Sequence, residues 1–516
     1  MMRLIIDFAY KGTVNVTEEN VQGLVQTADQ LNVTRVVHAC CSFLEDRLAS
    51  ENCVGIWQLT NTCFCPLLRA KACLYIMYNF NEVVSTEEFL QLSAEELAYV
   101  LNSDELSVIK ETSAYDAVLK WLAHAPAERK GHFPLLLSKV RLALTTVEFL
   151  YSVLSSPGVR SNPECHEMVR GAMRMKHLIT ACKIPSAFCS NVIARPRLPK
   201  DVLFAIGGWS NLNPVNAIET YDINTNQWLD VTDEREHARA YHGTVLYDGS
   251  IYCIGGYSQQ DSTNTVRRFD LADRSWHEAA PMNRRRCYVS AALLGGHIYG
   301  VGGRDGSQRL KCAERYKPES NQWSYIESMH EHRSDASCAS YRERVYICGG
   351  FNGSHCLFTC EYYSPRSNHW TVFTPMTCQR SGFSIVVYAD KIFAVGGFDG
   401  NVRLTNVEAY SSETNAWAAA PPMQNPRSNF GIGLIDNKIF VTGGFHSIST
   451  INFAEFYDSV TNKWSKVAPM GTPRSALGCC VVSMLPNVRD YVMARQNLPY
   501  LNATCDPVRV EHPEHP

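Results

Sequence analysis

The sequence lacks the features of a membrane protein, a secreted protein or a strongly charged nucleic-acid binder. No apolar run approaches the ~18 residues that a membrane-spanning helix needs. The first twelve residues, MMRLIIDFAYKG, contain no long apolar stretch and no small-residue cleavage site, so we expect no secretory signal. A formal net charge of −3 provides no positive field for nucleic acid. We therefore expect a cytoplasmic protein whose partners are neither membranes nor nucleic acids.

Motifs for cofactors, metals and catalysis are also scarce. The glycines form no G-x-G-x-x-G that precedes a helix, which argues against a nucleotide site. Cys63 and Cys65 form a C-x-C, but no second pair of cysteines or histidines lies at zinc spacing. The 20 cysteines lie within helical or strand patterns, and in a long chain without an export signal we expect them to be reduced. The sequence therefore predicts no cofactor, no metal and no catalytic residue.

What the sequence does contain is a repeat in its second half. Glycine pairs recur at steps of 48, 47, 47, 47 and 47 residues, and a tryptophan follows the second glycine of each pair after 20 residues. An aromatic residue precedes each tryptophan by seven positions, and each repeat also carries an arginine at a fixed place, here called a landmark arginine. The glycine pairs are 207–208, 255–256, 302–303, 349–350, 396–397 and 443–444, and the landmark arginines are Arg239, Arg286, Arg333, Arg380, Arg427 and Arg474.

Each repeat divides into four short β patterns, which in the fifth repeat are SGFSIVVY, KIFAVGG, NVEAYS and AWAAAP. Six units of four short strands indicate a six-bladed β-propeller. The glycine pairs should end a strand where a Cβ would clash or where φ must be positive. The first repeat begins at DVLFAIGG without the strand that follows the landmark arginine elsewhere, whereas an unpartnered copy, SALGCCVV, follows Arg474. We expect residues 475–482 to complete the first blade and to close the ring, which removes exposed strand edges.

The residues before 185 follow a helical period instead of a strand period. Two capping-box spacings, Ser85 with Glu88 and Ser93 with Glu96, predict the starts of short helices. One apolar helical face is marked by Val21, Leu24, Val25, Ala28 and Leu31. The front half is therefore predicted to be a stack of short α-helices.

The repeats resemble kelch repeats, because they combine the glycine pair, the aromatic residue before the tryptophan, and a Pro-Met before the landmark arginine in four of the six units. The front half carries two further resemblances. FAYKG at 8–12 and the following VNVTEENVQGLVQTADQLNVTRVVHACCSFLEDRL resemble the carboxy-terminal part of a BTB domain. ENCVGIW at 51–57 and FLQLSAEELAYVLNSDELSV resemble a BACK domain. BTB, BACK and kelch in this order are typical of the kelch-like family.

The resemblance implies a multidomain chain with an all-α front half and an all-β six-bladed kelch propeller. The expected parts are a partial BTB domain at 1–50, a BACK domain at 51–182, a linker at 183–200, the propeller at 201–484 and a disordered tail at 485–516. The amino-terminal part of the BTB domain, which pairs two BTB domains and makes much of the cullin contact in this family, is expected to be missing. A homodimer is therefore expected only in a longer product, and binding to cullin-3 is expected to be weakened or lost in this chain.

The resemblance also implies a function. Kelch-like proteins serve as substrate receptors of cullin-3 RING ubiquitin ligases, so we expect a non-catalytic adaptor whose BTB and first BACK helices bind cullin-3. The propeller is then expected to bind a protein substrate that the sequence does not identify. Some kelch propellers bind actin, which leaves an actin-binding or scaffold protein without ligase recruitment as the alternative.

In kelch-like proteins one mouth of the propeller channel is built from the residues just after each glycine pair and just after each landmark arginine. Carried onto this chain, the first set is Trp209, Tyr257, Arg304, Phe351, Phe398 and Phe445. The second set contributes Tyr241, Tyr288, Asp335 and Asn429. Arg309 and Arg403 match arginines that read acidic peptide groups in relatives. These twelve residues are the predicted substrate-binding residues.

A physical argument points to the same surface. Aromatic residues and arginine anchor protein interfaces because they remove a large area from water at a low entropic cost. Two alternatives stay open: the aromatic rings pack on their own loops, or Arg309 and Arg403 pair with Asp305 and Asp399. The landmark arginines are predicted to be structural, holding backbone carbonyls between strands.

Overall fold

The structure is a computed structural model, and it describes residues 1–108, 110–181, 192–233, 236–258, 261–485 and 487–494. The chain divides into two compact units, the residues before Asp201 and the segment Asp201–Met493. The first unit is helical and the second is built from six four-stranded sheets. The predicted fold class, a helical front half followed by a six-bladed β-propeller, is confirmed.

The described part of the first unit forms thirteen α-helices around one continuous hydrophobic core. The helices are α1 (Met2–Lys11), α2 (Val21–Gln30), α3 (Thr34–Glu45), α4 (Cys53–Leu59), α5 (Pro66–Tyr78), α6 (Phe80–Val83), α7 (Ala94–Asn102), α8 (Glu111–His124), α9 (Pro126–Arg129), α10 (Phe133–Leu137), α11 (Val147–Ser155), α12 (Pro157–Arg160) and α13 (Pro163–Ala181). Short 3₁₀ turns lie at Glu88–Gln91, Lys130–His132 and Leu142–Leu144. Helix α2 buries Val21, Leu24, Val25 and Ala28, as the periodicity predicts, whereas Leu31 lies beyond its end and is exposed.

One of the two predicted capping boxes is present. The Ser93 hydroxyl accepts the Glu96 N–H at 3.1 Å and the Glu96 carboxylate accepts the Ser93 N–H at 2.9 Å, which starts α7. The prediction for Ser85 and Glu88 is wrong, because Glu88 begins a 3₁₀ turn and Ser85 does not cap it. The Glu88 carboxylate instead accepts the backbone N–H of Gly55 at 3.0 Å and thereby joins α4 to that turn.

Part of the segment predicted as a linker is fixed to the helical unit. Residues 182–191 lie outside the described residues, but Arg195 and Arg197 make ion pairs with carboxylates of this unit. The Arg197 guanidinium lies 2.6 Å from Glu111, and Arg195 lies 2.9 Å from Asp104. Both carboxylates are buried, so losing Arg197 would leave Glu111 without its ion-pair partner, whereas Asp104 would keep its second partner, Arg141.

The second unit consists of six antiparallel four-stranded blades. From the channel outward, blade 1 consists of β30 (Gly478–Ser483), β1 (Asp201–Ile206), β4 (Ile218–Asp222) and β5 (Gln227–Asp230), and blade 2 of β6 (Gly243–Tyr247), β7 (Ser250–Ile254), β10 (Val266–Asp270) and β11 (Ser275–Ala279). In the same order, blade 3 consists of β12 (Ser290–Leu294), β13 (His297–Val301), β14 (Ala313–Lys317) and β15 (Gln322–Ile326), and blade 4 of β16 (Ser337–Tyr341), β17 (Arg344–Cys348), β18 (Cys360–Ser364) and β19 (His369–Phe373). Blade 5 consists of β20 (Ser384–Tyr388), β21 (Lys391–Val395), β22 (Val407–Ser411) and β23 (Ala416–Ala420), and blade 6 of β24 (Gly431–Ile435), β25 (Lys438–Thr442), β28 (Ala454–Asp458) and β29 (Lys463–Val467). Three small hairpins pair β2 (Trp209–Ser210) with β3 (Asn213–Pro214), β8 (Tyr257–Ser258) with β9 (Asp261–Ser262), and β26 (Phe445–His446) with β27 (Ser449–Thr450).

The ring is closed by the last strand of the propeller, as predicted. Strand β30 pairs antiparallel with β1, from Asp201 opposite Ser483 to Ile206 opposite Gly478. The six inner strands β30, β6, β12, β16, β20 and β24 contact one another in a closed circle. Because the first blade is assembled from both ends of the propeller segment, the innermost strand of blade 1 is paired rather than left as an open edge.

The repeated aromatic residues and glycines are structural. In blade 4 the buried Trp370 ring packs 5.3 Å from Tyr363, and its Nε1–H donates to the carbonyl of Glu327 in the preceding blade at 2.7 Å. Five of the six repeat tryptophans link two blades in this way, and the exception is Trp276, whose N–H has no partner among the described residues. At Gly302 φ is +63°, and a Cβ there would lie 2.4 Å from the Arg333 carbonyl oxygen. The expected reasons for the glycine pairs, positive φ and close approach, are both confirmed.

The landmark arginines hold backbone carbonyls, as predicted. Arg286, for example, donates to the carbonyls of Gly302 and Cys312, both at 2.8 Å. Sequence reasoning missed the buried glutamate that faces the arginine in five of the six blades. The pairs are Arg286–Glu314 at 2.9 Å, Arg333–Glu361 at 3.0 Å, Arg380–Glu408 at 2.8 Å, Arg427–Glu455 at 2.7 Å and Arg474–Glu219 at 3.0 Å.

Blade 2 reverses this charge arrangement. Arg267 occupies the position of the glutamate, and it pairs with Glu236, three residues before the landmark arginine, at 2.7 Å. Arg239 donates instead to the carbonyls of Gly255 and Thr265 and to the Thr265 hydroxyl. Blade 2 therefore keeps an ion pair beside the landmark arginine, but the pair is half-buried and the arginine takes the position that the glutamate has in the other blades.

Residues expected to begin a disordered tail are ordered up to Met493. The carbonyl of Tyr491 accepts the Thr220 hydroxyl of blade 1 at 2.6 Å, and the Tyr491 hydroxyl donates to the Leu271 carbonyl after β10 at 2.8 Å. The Tyr491 ring is fully buried and lies 5.0 Å from Phe204. The expectation of disorder is therefore wrong for this part, and residues 495–516 lie outside the described residues.

Two further expectations concern the whole chain. Every cysteine among the described residues is a free thiol, which confirms the expectation of reduced cysteines there. Within the same residues, no helix combines the length and the apolar character needed to cross a bilayer.

Candidate functional site

Six equivalent residues, one from each blade, form a closed ring of backbone hydrogen bonds where the inner strands begin. Each N–H donates to the carbonyl of the equivalent residue in the preceding blade, over distances from 2.6 to 3.2 Å. The ring, here called the mouth ring, consists of Tyr241, Tyr288, Asp335, Gly382, Asn429 and Ala476. It fixes the mouth of the channel through the backbone and leaves the side chains available for other contacts.

The mouth ring has an unusual backbone conformation. All six residues have φ between 52° and 57°, in the left-handed region, although only one of them is glycine. This conformation disfavours side chains with a Cβ, and bulky residues such as Tyr241 and Tyr288 rarely adopt it. Strained residues that persist in a repeated architecture mark a place where a particular side-chain direction is needed. The strain therefore singles out the mouth ring as a candidate site.

The residue after each glycine pair lies beside the mouth ring. Each one bridges to the residue that directly precedes a mouth-ring residue, as Phe351 does with Ser334 and Phe398 does with Ser381. Arg309 bridges to Arg304 and Arg403 bridges to Phe398. Through these bridges the structure brings all twelve predicted residues to the same end of the propeller.

The mouth has an aromatic half, formed by blades 1 to 3. The Trp209 ring lies 6.1 Å from Tyr241 and 5.7 Å from Tyr257, and the Tyr241 ring lies 4.1 Å from Tyr288. These rings support one another and form a continuous surface. The alternative of local packing therefore does not exclude a binding role, because each ring contacts its neighbours and also borders the mouth.

Blades 3 to 6 form a cationic half. The Arg309 guanidinium lies 4.9 Å from the Phe351 ring centre, and that of Arg403 lies 4.6 Å from Phe398 and 4.9 Å from Phe445. Stacking on rings orients a guanidinium and leaves its N–H edges available for carboxylates. The two arginines are thereby held in place without an ion pair, although Asp335 lies close enough to Arg309 to interact with its charge.

The alternative pairing of these arginines with nearby aspartates is absent. Asp305 pairs with Arg284 at 2.7 Å, and Asp399 accepts backbone N–H groups within its own loop. In the part of the chain that the structure describes, Arg309 and Arg403 form no ion pair. Their charge is therefore available at the mouth.

Asp335 is the one carboxylate in the mouth ring. Burial raises its pKa to about 6, although the Ser334 hydroxyl, which donates to it at 2.9 Å, and the nearby Arg309 and Arg304 oppose the increase. The carboxyl group therefore exchanges its proton near neutral pH. Asp335 thus places a hydrogen-bond acceptor between the two halves of the mouth, and the charge of this acceptor depends on pH.

A histidine lies just below the mouth ring in a cavity of about 280 Å³. The residues that follow the mouth-ring residues are apolar in the other five blades, whereas blade 2 has the buried His242. Burial, together with Arg239 and Arg474, lowers the pKa of His242 to about 3, so the ring is neutral at physiological pH. Gly478 makes room for it, because a Cβ there would lie 2.8 Å from His242 Nε2. Sequence reasoning missed this residue.

The helical unit carries a separate groove of about 420 Å³ between α3 and the start of α5. Phe64 and Leu67, at the start of α5, are 82% and 78% exposed beside it. Cys41 and Cys65 also line the groove, with their sulfurs 3.0 Å apart. Exposed apolar side chains next to a concave surface are typical of a protein-binding site.

Metal-ligand chemistry is sparse in the described residues. One group of three potential ligands occurs, Asp270, Asp273 and His277, with their ligand atoms within 4.8 Å of one another. Asp273 and His277 are exposed, and both already hydrogen-bond to Ser275. This group lies on the outer strands of blade 2, away from the mouth.

Comparison with known protein families gives matches in both the helical unit and the propeller. Residues 1–48 match the BTB/POZ domain, and residues 53–155 match BACK, described as BTB And C-terminal Kelch. Residues 172–350 match the KLHDC2/KLHL20/DRC7 Kelch-repeats domain, and 332–377, 379–424 and 426–471 match the Kelch motif. The chain belongs to the BTB–BACK–kelch family. The resemblance seen in the sequence is thereby confirmed at the level of the family.

In this BTB–BACK–kelch protein the site signals that sequence reasoning missed have different causes. The mouth ring depends on positive φ values, and five of its six residues are not glycine, so the sequence does not indicate this conformation. His242 interrupts an apolar column that only an alignment of the six repeats makes visible. The buried glutamates form a fifth periodic landmark, two residues before the aromatic residue in five of the six repeats.

Proposed function

We propose that this BTB–BACK–kelch protein is a non-catalytic substrate-recognition adaptor of a cullin-3 RING ubiquitin ligase. In this proposal the propeller mouth binds the protein to be ubiquitinated, and the helical unit binds cullin-3. The observation that carries the proposal is the presence of BTB and BACK sequences in front of a propeller whose mouth holds unpaired arginines among aromatic rings. Transfer of ubiquitin would be promoted by proximity, which raises the effective concentration of substrate lysines.

The chemistry of the mouth suggests the kind of substrate. Arg309 and Arg403 provide two planar cations on one side, and the rings around Trp209 and Tyr241 provide an apolar surface on the other. We propose that the substrate presents a carboxylate to the arginines and an apolar group to the rings. Arginine binds carboxylates in a bidentate manner, and aromatic surfaces gain free energy when water leaves them.

We propose that the groove between α3 and the start of α5 receives cullin-3. It lies between the part that matches BTB and the part that matches BACK, and Phe64 and Leu67 present apolar side chains beside it. Desolvation of two large exposed apolar side chains is a suitable anchor for a helical partner.

Several finer assignments accompany the proposal. We propose the domain boundaries 1–50, 51–182, 183–200 and 201–484, with the ordered residues up to Met493 added to the propeller, a cytoplasmic location, and homodimerisation in a longer product. The blade sequences RSDAS, YICGGFNG and PRSNFG resemble those of kelch-like protein 10, and we propose that this member of the family is a close relative.

The test is a titration of the purified full chain with the amino-terminal domain of cullin-3 by calorimetry. We expect weak binding by the wild type, because the chain carries only part of a BTB domain, a further loss of about tenfold or more for Phe64→Ser with Leu67→Ser, and no change for Tyr151→Ser, an exposed aromatic on α11 away from the groove. No heat from the wild type would overturn ligase recruitment by this chain and would remove the groove as a cullin-3 site. Co-sedimentation of the wild-type chain with actin filaments would then favour the alternative of an actin-binding scaffold protein.

A further inference from the structure

The loop tips around the mouth differ from blade to blade in one respect. In the five blades where the structure describes it, the fourth residue after the glycine pair lies at the tip of the loop between the second and third strands. This residue is Ser307, Ser354 and Asn401 in blades 3, 4 and 5, but Leu212 in blade 1 and Ile448 in blade 6. Leu212 is 86% exposed and Ile448 is 90% exposed. Blade 5 adds Val402, one position later and 57% exposed, so three neighbouring blades carry aliphatic tips.

The backbone at Leu212 argues that this side chain is needed where it is. Leu212 is the second residue of the two-residue turn between β2 and β3, with φ of 45° at Asn211 and 69° at Leu212. Turns with two positive φ values strongly favour glycine at the second position, because a Cβ is disfavoured there. A leucine here carries backbone strain and also exposes an apolar side chain to water. Both effects reduce stability, which is expected where a side chain serves a contact outside the chain.

The charge of the same region is available for a partner. Arg403 follows Val402 in the chain, and its guanidinium lies between Phe398 of blade 5 and Phe445 of blade 6, 4.6 and 4.9 Å from the ring centres. Within the described residues, it forms no ion pair. The aliphatic tips and an unpaired cation therefore share one sector of the mouth, formed by blades 5, 6 and 1.

We propose that Leu212, Ile448 and Val402 form an apolar rim that binds aliphatic side chains of the same protein segment whose carboxylate is held by Arg403. The proposal rests on the proposed function of the mouth and defines its partner further. The partner is a protein segment with at least two aliphatic side chains next to an acidic residue. A segment with several acidic residues and no aliphatic ones would satisfy Arg403 but would leave the rim exposed to water.

The experiment selects a random peptide library displayed on phage against the purified full chain. A selected peptide is then synthesised with a fluorescent label, and its affinity is measured by anisotropy. The rim variant is Leu212→Gly with Ile448→Ser. Glycine suits the turn at position 212, and serine is the residue at the equivalent loop tips of blades 3 and 4. The control is Val460→Ser, because Val460 is 92% exposed in the turn between β28 and β29. Successive strands of a blade are antiparallel, so that turn lies at the opposite end of the propeller.

We expect selected peptides to combine aliphatic residues with an acidic residue, and the rim variant to lose about tenfold or more in affinity. The control should bind like the wild type. The melting temperature of the rim variant should not fall, because glycine relieves the strain at position 212. This separates loss of contact from loss of fold.

Two results would overturn the proposal. Peptides that require Arg403 and Trp209 but bind the rim variant with wild-type affinity would leave the mouth as a binding site and remove the rim from it. If the rim variant changes the oligomeric state of the protein in solution but leaves its affinity for the selected peptides unchanged, a second copy of the chain covers the rim. If no selected peptide depends on Arg403 or Trp209, the proposed function of the mouth itself fails.

Discussion

The backbone N–H of Tyr241 donates to the carbonyl of Ala476 at 2.9 Å and joins the second blade to the strand that completes the first. Because the same contact recurs between every pair of neighbouring blades, the mouth ring closes at the place where the two ends of the propeller segment meet. The pairing of β30 with β1 closes the same seam through a blade. The mouth is therefore fixed by the same contacts that close the ring.

The first prediction concerns Ala476, which adopts φ of 55° in this ring. Ala476→Gly should increase the free energy of unfolding by about 1 kcal/mol, because glycine adopts positive φ without a clash. Ala476→Pro should lower it by about 3 kcal/mol or more, since proline fixes φ near −65° and removes the N–H that donates to Asn429. Urea unfolding of both variants measures the difference. Equal stability of the two would show that the mouth ring does not form.

The second prediction concerns the buried tryptophans. Trp370→Ala should reduce the free energy of unfolding by about 3–5 kcal/mol, because it leaves a cavity in blade 4 and frees the Glu327 carbonyl that accepts its N–H. Thermal or urea unfolding provides the measurement, with Val372→Ala, an exposed neighbour on β19, as the control. A loss below about 1 kcal/mol for the tryptophan variant would place its ring in solvent.

The third prediction concerns the reversed charge pair of blade 2. Arg267→Glu should lower stability by about 1–3 kcal/mol, because it faces Glu236 with a second carboxylate and removes its half-buried partner. Adding Glu236→Gln should recover most of this loss, since it reproduces the arrangement of blade 6, where Gln424 occupies the equivalent position and Glu455 faces the landmark arginine. A double-mutant cycle by urea unfolding measures the coupling. Additive effects would mean that the two sites do not interact.

The fourth prediction concerns pH. Between about pH 3 and 6.5 the unfolded chain binds a proton at His242 that the folded chain does not, so this residue lowers stability as pH falls through that window. Asp335 acts in the opposite direction, because its pKa rises from 3.8 to about 6 on folding and its contribution is lost as pH rises through that range.

Urea unfolding from pH 4 to 7 separates the two residues. His242→Val, which copies Val289 of blade 3, should reduce the loss of stability at low pH. Asp335→Asn should remove the contribution that is lost between pH 4 and 6, and should make the remaining stability rise more steeply with pH. Unchanged pH profiles for both variants would show that neither group titrates differently in the folded chain.

Much of the propeller could be predicted because its repeats keep their landmarks in register. The position of the glycine pairs fixes where the second strand ends, and the landmark arginine fixes where the inner strand begins. Together they place Trp209, Phe351 and their equivalents at one end without any knowledge of contacts. The closing strand was predictable because the first repeat lacks an inner strand, and the segment after Arg474 has the sequence of an inner strand with no repeat following it.

Other features depend on contacts that the sequence does not announce. The mouth ring requires positive φ at residues such as Tyr288 and Asp335, whose side chains give no such signal. The segment before Met493 has no periodicity, yet Tyr491 is buried because it fits between blades 1 and 2. The stacking of Arg403 between two phenylalanines follows from the angle between neighbouring blades, which spacing alone does not supply.

The central claim is that the cationic half of the mouth binds the protein substrate. It is tested most directly by affinity purification of the full chain and of Arg309→Ala with Arg403→Ala, with Arg366→Ala, an exposed arginine at the opposite end, as the control. We expect the mouth variant to lose proteins that the wild type and the control retain, to capture the same amount of cullin-3 as the wild type, and to melt at the same temperature. Retention of the same proteins by all three chains would contradict the account.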